Sequence, residues 1–470
     1  MIAARQALFA GVLTACVVPL VALLAEGGEP AAKRTDELAE WESLKYGMFI
    51  HYGMSTFVNG NWQTSPPAET YAPSHLDVRQ WIRVARQAGM KYAVLTAKHV
   101  AGHCLWDSRD YDYDVASSSE TTDVVAEFMA ACKAEGIKAG LYYCVLDNHN
   151  EGGVKWTDPV APEYFKLIKK HLTELHTRYP GIFEQWIDIP RKLSAEQRRE
   201  LYRLIKRLSP KCIVMMNQGF LDGQQIPEDC WPTDLADGER TLPPPTGHDP
   251  RKRVKGKSYY IPMEVCDTIG KKWFWARNDP PKSVKTVYRL YAKSTSRKAN
   301  FLLNVPPDPT GRIPQDAVNR LMELRAVIEN PSLLPAPESL TYDKPAKASN
   351  VYRGLANHGP QAAVDDDPDT RWATDAGVHR GWLEVDLGRS VVFDRAFISE
   401  AYDRTQAFEL QCKDGQDWKR FYRGGRIGKS LTLKFDPVTA RFVRLNILEA
   451  TDGPTIWEFQ LFPPKGPDSM

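Results

Sequence analysis

Ala139-Gly140-Leu141-Tyr142-Tyr143-Cys144-Val145, a helical stretch from Glu163 to Tyr179, and then Ile182-Phe183-Glu184-Gln185-Trp186-Ile187 form one strand–helix–strand unit. Its repetition decides the fold. The two apolar runs are strand-length, whereas the stretch between them carries apolar residues at helical spacing. Upstream, the same alternation predicts a strand at Tyr46 to His51, a helix at Val78 to Ala88, a strand at Tyr92 to Thr96 and a helix at Val124 to Glu135. Downstream it predicts a helix at Ser194 to Leu208 and a strand at Cys212 to Met216. Strands separated by helices imply a parallel sheet, and this many units in succession favour closure into a (β/α)8-like barrel. A last helix, Gln315 to Glu329, stops before a Pro-rich linker, 331–345. Beyond it Trp382–Leu387, Phe393–Ser399, Ala407–Cys412 and Phe442–Ile447 alternate at period two, the pattern of a β-sandwich with jelly-roll character. The fold class is therefore α/β plus all-β: a barrel over 36–330 and a sandwich over 346–463.

With 61 basic and 59 acidic residues the net charge is +2, which provides no electrostatic footprint for nucleic acid or an anionic membrane. The N-terminus has one early charge, Arg5, and an apolar run from Ala7 to Ala25, followed by polar residues to Arg34. This predicts a signal peptide over 1–25 and an exported protein, periplasmic or extracellular. Leu13-Thr14-Ala15-Cys16 also matches a lipoprotein box, leaving an anchored form as the alternative; no integral membrane role is expected. Of eight cysteines, Cys16 lies in the targeting segment, and the other seven are unpaired in spacing, which argues against a disulfide framework.

In such a barrel the reacting groups project from the C-terminal ends of the strands. Polar residues that terminate apolar runs are the candidates: His51, Lys98-His99, Tyr142-Tyr143, Asp188, Asn217-Gln218 and Glu264. Together with Trp62, Trp186 and Trp273 they suit a sugar ring better than a phosphate, because aromatic faces stack on sugar faces while polar tips bind hydroxyls. Glycosidic cleavage needs two carboxyl groups. Asp188, closing the Trp186-Ile187 strand, is the first nucleophile candidate, with helix capping as its alternative role.

Five motifs then carry a family resemblance. Lys45-Tyr46-Gly47-Met48-Phe49-Ile50-His51-Tyr52-Gly53, Leu95-Thr96-Ala97-Lys98-His99 with Leu105-Trp106-Asp107-Ser108, Gly140-Leu141-Tyr142-Tyr143, Trp186-Ile187-Asp188, and Asn300 to Gly311 resemble glycoside hydrolase family 29, the α-L-fucosidases. The resemblance implies an exo-acting, retaining α-L-fucosidase acting on fucosylated glycans, with Asp188 as nucleophile and no cofactor for catalysis. It also implies that His51, His99 and Tyr143 hold sugar hydroxyls and that Trp273 packs on the fucose methyl. For the acid/base, Glu239 in Asp234 to Arg240 is the first choice and Glu264 the second, with an ion-paired structural role open for Glu264. The sequence departs from the family at Val100, at His103 and at Asn61, where Glu69 is a substitute candidate. Those departures keep two alternatives open: a catalytically silent glycan-binding protein, and a hydrolase of a related deoxysugar or galactoside.

The C-terminal segment resembles coagulation-factor type C, or discoidin-like, domains and family 32 carbohydrate-binding modules. The motifs are Val364 to Trp372, Trp382 to Gly388, Ala440 to Leu445 and Ile456 to Phe459. The resemblance implies a structural calcium held by Asp365, Asp367, Thr370 and Glu458, for which hard oxygen ligands are suited. An acidic turn without metal is the alternative.

Overall fold

The computed structural model describes residues 29–464, apart from 110, 151–158, 220, 222, 245, 335–337 and 368–369. The expected signal peptide lies outside the described residues. Among the described residues no helix is long and apolar enough to cross a membrane.

Eight parallel strands form the first domain: β1 (Tyr46–Ile50), β2 (Tyr92–Lys98), β3 (Lys138–Cys144), β4 (Glu184–Asp188), β5 (Ile213–Asn217), β6 (Ala236–Glu239), β7 (Met263–Thr268) and β8 (Ala299–Asn304). Their order, β5-β4-β3-β2-β1-β8-β7-β6, is that of a ring opened between β5 and β6. Among the described residues no strand ladder closes this seam. One main-chain bond, Asp234 N to Val214 O (2.8 Å), crosses it, and side chains stitch the rest: Val214 N donates to Asp234 Oδ2 (2.9 Å), Met216 N to Thr233 Oγ1 (3.1 Å) and Gly219 N to Asp237 Oδ2 (2.7 Å).

Helices α1 (Asp36–Leu44), α2 (Val78–Gln87), α3 (Val124–Glu135), α4 (Pro162–Arg178), α5 (Ala195–Leu208), α6 (Val284–Ser296) and α7 (Gln315–Glu329) complete the domain. Strand residues alternate between two cores, since successive side chains point to opposite faces. One parity packs against the helices; the other fills the barrel, where Trp41, Phe49, Tyr92, Tyr142, Trp186, Met215 and Cys266 are buried. Helix α1, which the sequence pattern did not predict, plugs the N-terminal mouth through Trp41, whose Nε1 donates to Glu184 Oε2 (2.9 Å). Among the described residues the connections after β5 and β6 carry no α-helix; a short hairpin, Arg251–Val254 with Lys257–Tyr260, follows β6 instead.

The second domain is antiparallel and has its own core, built around Trp372, Leu383, Phe393, Phe408 and Leu445. Its two longest strands, Gly381–Glu400 and Leu431–Ala450, pair along their length with register shifts between Asp386 and Val391 and between Phe393 and Arg395. The bulges bend the strands, so single strands absorb segments that read separately in the sequence. Trp382–Leu387 and Phe393–Ser399 both fall within Gly381–Glu400.

Candidate active site

The C-terminal ends of the barrel strands surround one cavity of about 250 Å³. Phe49, Trp62, Tyr142, Trp186 and Trp273 supply aromatic walls, and His51, His99, Asp188, Asn217, Gln218 and Glu239 supply polar groups. This volume lies just below the roughly 300–1,000 Å³ of typical small-molecule sites, enough for one sugar ring and not for a chain.

Asp188, Asn217 and Glu239 are the last residues of β4, β5 and β6, three consecutive positions around the ring. Asp188 Oδ2 accepts the Tyr142 hydroxyl at 2.5 Å, and Oδ1 accepts Asn217 Nδ2 at 2.8 Å. The same Asn217 nitrogen reaches Glu239 Oε2 at 3.0 Å. The facing oxygens of the two carboxyl groups are thus no further apart than two hydrogen bonds end to end, compatible with the roughly 5–5.5 Å carboxyl separation of retaining glycosidases. Ile189, with φ 56°, turns sharply after Asp188, and its N–H donates to Asn217 O at 3.1 Å. A left-handed β-branched residue costs about 1–3 kcal/mol, so the surrounding packing must hold this turn.

The environments of the two carboxyl groups differ. Burial raises Glu239 to about 8, reinforced by the nearby Asp237 and Asp188 charges. It is therefore mostly protonated at neutral pH. Burial also raises Asp188, but hydrogen bonds from Tyr142 and Asn217 oppose that shift by favouring the carboxylate. Asp237 is raised to about 7 by burial, while its carboxylate accepts Glu239 N (2.7 Å) and Gly219 N (2.7 Å), tying the loop after β5 to β6.

His51 and His99 enter the cavity from the ends of β1 and β2. Burial lowers His51 to about 3 and lowers His99 strongly, so both rings are neutral. Asn304 Nδ2 donates to Trp273 O (2.7 Å), which orients its Oδ1 toward His51 Nδ1 (2.7 Å). His51 therefore carries its proton on Nδ1 and presents Nε2 as an acceptor. Trp273 packs on the His51 ring at 5.0 Å, with the Arg240 guanidinium 5.1 Å over its own face.

Several expected positions fall elsewhere. Tyr143 has the wrong strand parity: it points outward to the helices, with its hydroxyl 3.0 Å from His171 Nδ1. Tyr142 takes the place in the cavity. Glu264 pairs in register with Asp237, two residues below Glu239, and lies fully buried beneath the cavity. There it accepts Tyr92 OH (2.5 Å) and Trp186 Nε1 (2.9 Å) and lies against Glu184, and burial together with the Glu184 charge raises it well above the usual carboxyl range, so its partners are carboxylic, phenolic and indole groups, not a cation. Glu69 is exposed and off the cavity. His103 is structural, stacked on Tyr71 and bonded to Ser118 Oγ (2.8 Å).

In the second domain Thr370 Oγ1 meets Asp365 Oδ1 (2.9 Å), Ala362 O (3.2 Å) and Asp367 O (3.2 Å). The Asp367 carboxylate, however, is paired with Arg289 of α6, which also contacts Asp365 Oδ1 (3.1 Å) and Asp365 O (2.7 Å). Glu458 Oε1 is buried without a hydrogen-bond partner among the described residues, and burial next to Asp365 raises Glu458 to about 8. The four expected ligands thus do not form a side-chain cage, and among the described residues no group of three or more acidic, histidine or cysteine side chains does.

Comparison with known proteins finds relatives of both domains. Residues 345–459 match the F5/8 type C domain. Alpha-L-fucosidase 1 of Arabidopsis thaliana is 29% identical over 448 residues, covering 89% of this chain and 85% of that protein. The unliganded α-L-fucosidase AlfC of Lactobacillus casei is 25% identical with a TM-score of 0.53, covering 64% of this chain and 99% of its own. A family 29 fucosidase of Ruminococcus gnavus in complex with fucose shares the fold over 93% of this chain and 96% of its own, with TM-score 0.51 and 21% identity. Because the α-L-fucosidase family profile spans residues 60–329, more than half of the chain and every barrel strand from β2 to β8, this glycoside hydrolase belongs to the α-L-fucosidase family.

Proposed function

We propose that the chain is an exo-acting, retaining α-L-fucosidase that releases terminal α-L-fucosyl residues from glycans. One observation carries this reading: two carboxyl groups in contrasting environments share a single amide donor at the base of a one-ring aromatic cavity. Asp188, ionised, attacks the anomeric carbon as the glycosidic C–O bond breaks, and Glu239 gives its proton to the leaving oxygen. In the second step Glu239, now a carboxylate, takes a proton from water; the water oxygen displaces Asp188 and regenerates both groups. The neutral His51 and His99 hold hydroxyls, and Trp62 and Trp273 flank the ring.

The apolar leader supports export. For the second domain, a calcium fits the oxygens present: the single Thr370 hydroxyl proton cannot serve three acceptors, and Glu458 Oε1 lacks a partner. Asp365, Thr370, Glu458 and the carbonyls of Ala362 and Asp367 would hold it, with Arg289 supplying further positive charge.

Purified protein incubated with 4-nitrophenyl α-L-fucoside tests the enzyme reading. Asp188→Asn is expected to lose activity by about 10⁴-fold, the scale for removing a nucleophile. A 2-fluoro fucosyl inactivator should label Asp188. Labelling elsewhere, or a product of inverted configuration by NMR, would refute the mechanism.

A further inference from the structure

We infer that Asn217 is the positioning residue that sets the spacing of the carboxyl pair and leaves Oε1 of Glu239 as the oxygen that delivers the acid proton. The inference rests on the reading of Asp188 and Glu239 proposed above. Asn217 Nδ2 has two hydrogens and two acceptors, Asp188 Oδ1 at 2.8 Å and Glu239 Oε2 at 3.0 Å. The amide cannot be reversed, since its oxygen would then face the ionised Asp188 carboxylate at hydrogen-bond distance; as placed, Asn217 Oδ1 has no hydrogen-bond partner among the described residues.

The backbone makes such a tie necessary. Asp188 sits in register with Asn217 on β5, and Ile189 N–H holds Asn217 O at 3.1 Å, so nucleophile and asparagine move as one. Glu239, by contrast, lies across the seam where no ladder joins β5 to β6. Asn217 is the side chain that crosses it at the level of the chemistry. Gly219 closes the other side: with φ 83°, a Cβ there would come 3.2 Å from Glu239 Oε2. With Oε2 enclosed by Asn217 and Gly219, Oε1 remains to meet the leaving oxygen.

The test compares Asn217→Ala and Asn217→Asp with Asp188→Asn and Glu239→Gln on an aryl fucoside and on a fucosylated disaccharide, with thermal melting of each variant. A lost hydrogen bond to a charged group corresponds to roughly 10- to 100-fold, so kcat on the disaccharide should fall about 10²-fold in Asn217→Ala with KM changed only a few-fold. Both limbs of its pH profile should move upward, because the donor that favours ionisation of both carboxyl groups is gone. Asn217→Asp should recover activity only on the acid side, where its own carboxyl is protonated and can donate. A purely structural asparagine would lower melting temperature or raise KM without moving either limb; that result, or kcat within threefold of wild type, overturns the inference. A wild-type chain inactive on both substrates would instead remove the underlying reading. Inactive Asp188→Asn and Glu239→Gln beside an unaffected Asn217→Ala would remove this inference alone.

Discussion

Replacing Glu264 by Gln should make the barrel less sensitive to alkaline pH. Glu184 and Glu264 are both fully buried, and Trp186 Nε1 donates to Glu184 Oε1 (2.6 Å) and Glu264 Oε2 (2.9 Å). Burial raises Glu184 from the ordinary 4.5 to about 7 and raises Glu264 further, since two adjacent carboxylates cannot both ionise there. A carboxyl whose pKa is raised by folding stabilises the native state fully below its unfolded value, and that stabilisation is lost as pH climbs through the folded value. For Glu184 the window runs from about 4.5 to about 7, and the loss is about 3 kcal/mol at 1.36 kcal/mol per unit. In Glu264→Gln the amide N–H replaces the carboxyl proton as donor to Glu184, its oxygen still accepts Tyr92 OH, and Trp186 Nε1 gives up Glu264 and donates to Glu184 Oε1 alone. Glu184 then ionises at lower pH. Urea unfolding followed by near-ultraviolet circular dichroism at pH 5, 6, 7 and 8 should show the variant gaining at least about 2 kcal/mol on wild type between the ends of the series, since it also lacks the more strongly raised Glu264. Asp237, Glu239 and Glu458 are also raised, so the difference between the two proteins, not either curve alone, isolates this pair. Parallel curves for variant and wild type would refute the pairing of the two carboxyl groups.

Activity should fall as pH rises through about 8, where Glu239 loses its acid proton, and Glu239→Gln should abolish that limb in a kcat/KM profile. Tyr142→Phe, which removes the 2.5 Å bond to Asp188, should lower kcat by roughly 10- to 100-fold, whereas Tyr143→Phe should leave kcat within a few-fold. Arg289→Ala leaves Asp365 and Asp367 buried beside each other without their cation and should destabilise docking of the second domain by about 3–5 kcal/mol, seen as earlier proteolysis between the domains. Chelation should lower the melting temperature of the second domain, with calcium, not magnesium, restoring it, because an irregular set of carbonyl, hydroxyl and carboxylate oxygens suits the larger ion.

Much of the barrel was legible because β1 to β5 are apolar runs separated by amphipathic helices, so Asp188, His51 and His99 could be found as polar residues ending strands. The choice between Tyr142 and Tyr143 needed parity: Cys144 pairs with Asp188 and Tyr142 with Trp186, placing those four on the inward face. Strand β6 left no such trace, since Ala236-Asp237-Gly238-Glu239 has no apolar run and no helix follows it. Glu239 was reachable only through resemblance, and the partnership of Asn217 with it was out of reach because that contact crosses the seam. Depth along a strand is equally silent in sequence, which is why Glu264 looked like a site residue although it lies a layer beneath the cavity. The Arg289 latch joins residues 76 apart on different domains, and no local pattern announces such a pair.

The absence of a ladder between β5 and β6 has a mechanical consequence. All eight strands are indexed by main-chain ladders, but among the described residues the ring has seven ladders, and β6, which carries Glu239, is in register with β7 alone. Toward β5 it is held by one main-chain bond, Asp234 N to Val214 O, and a handful of exchangeable side chains. The proposed proton donor is therefore anchored along one edge and only pinned along the other, so substitutions at Thr233, Asp234 or Asp237 are expected to shift Glu239 relative to Asp188 without disturbing the ladders that place Asp188, His51 and His99.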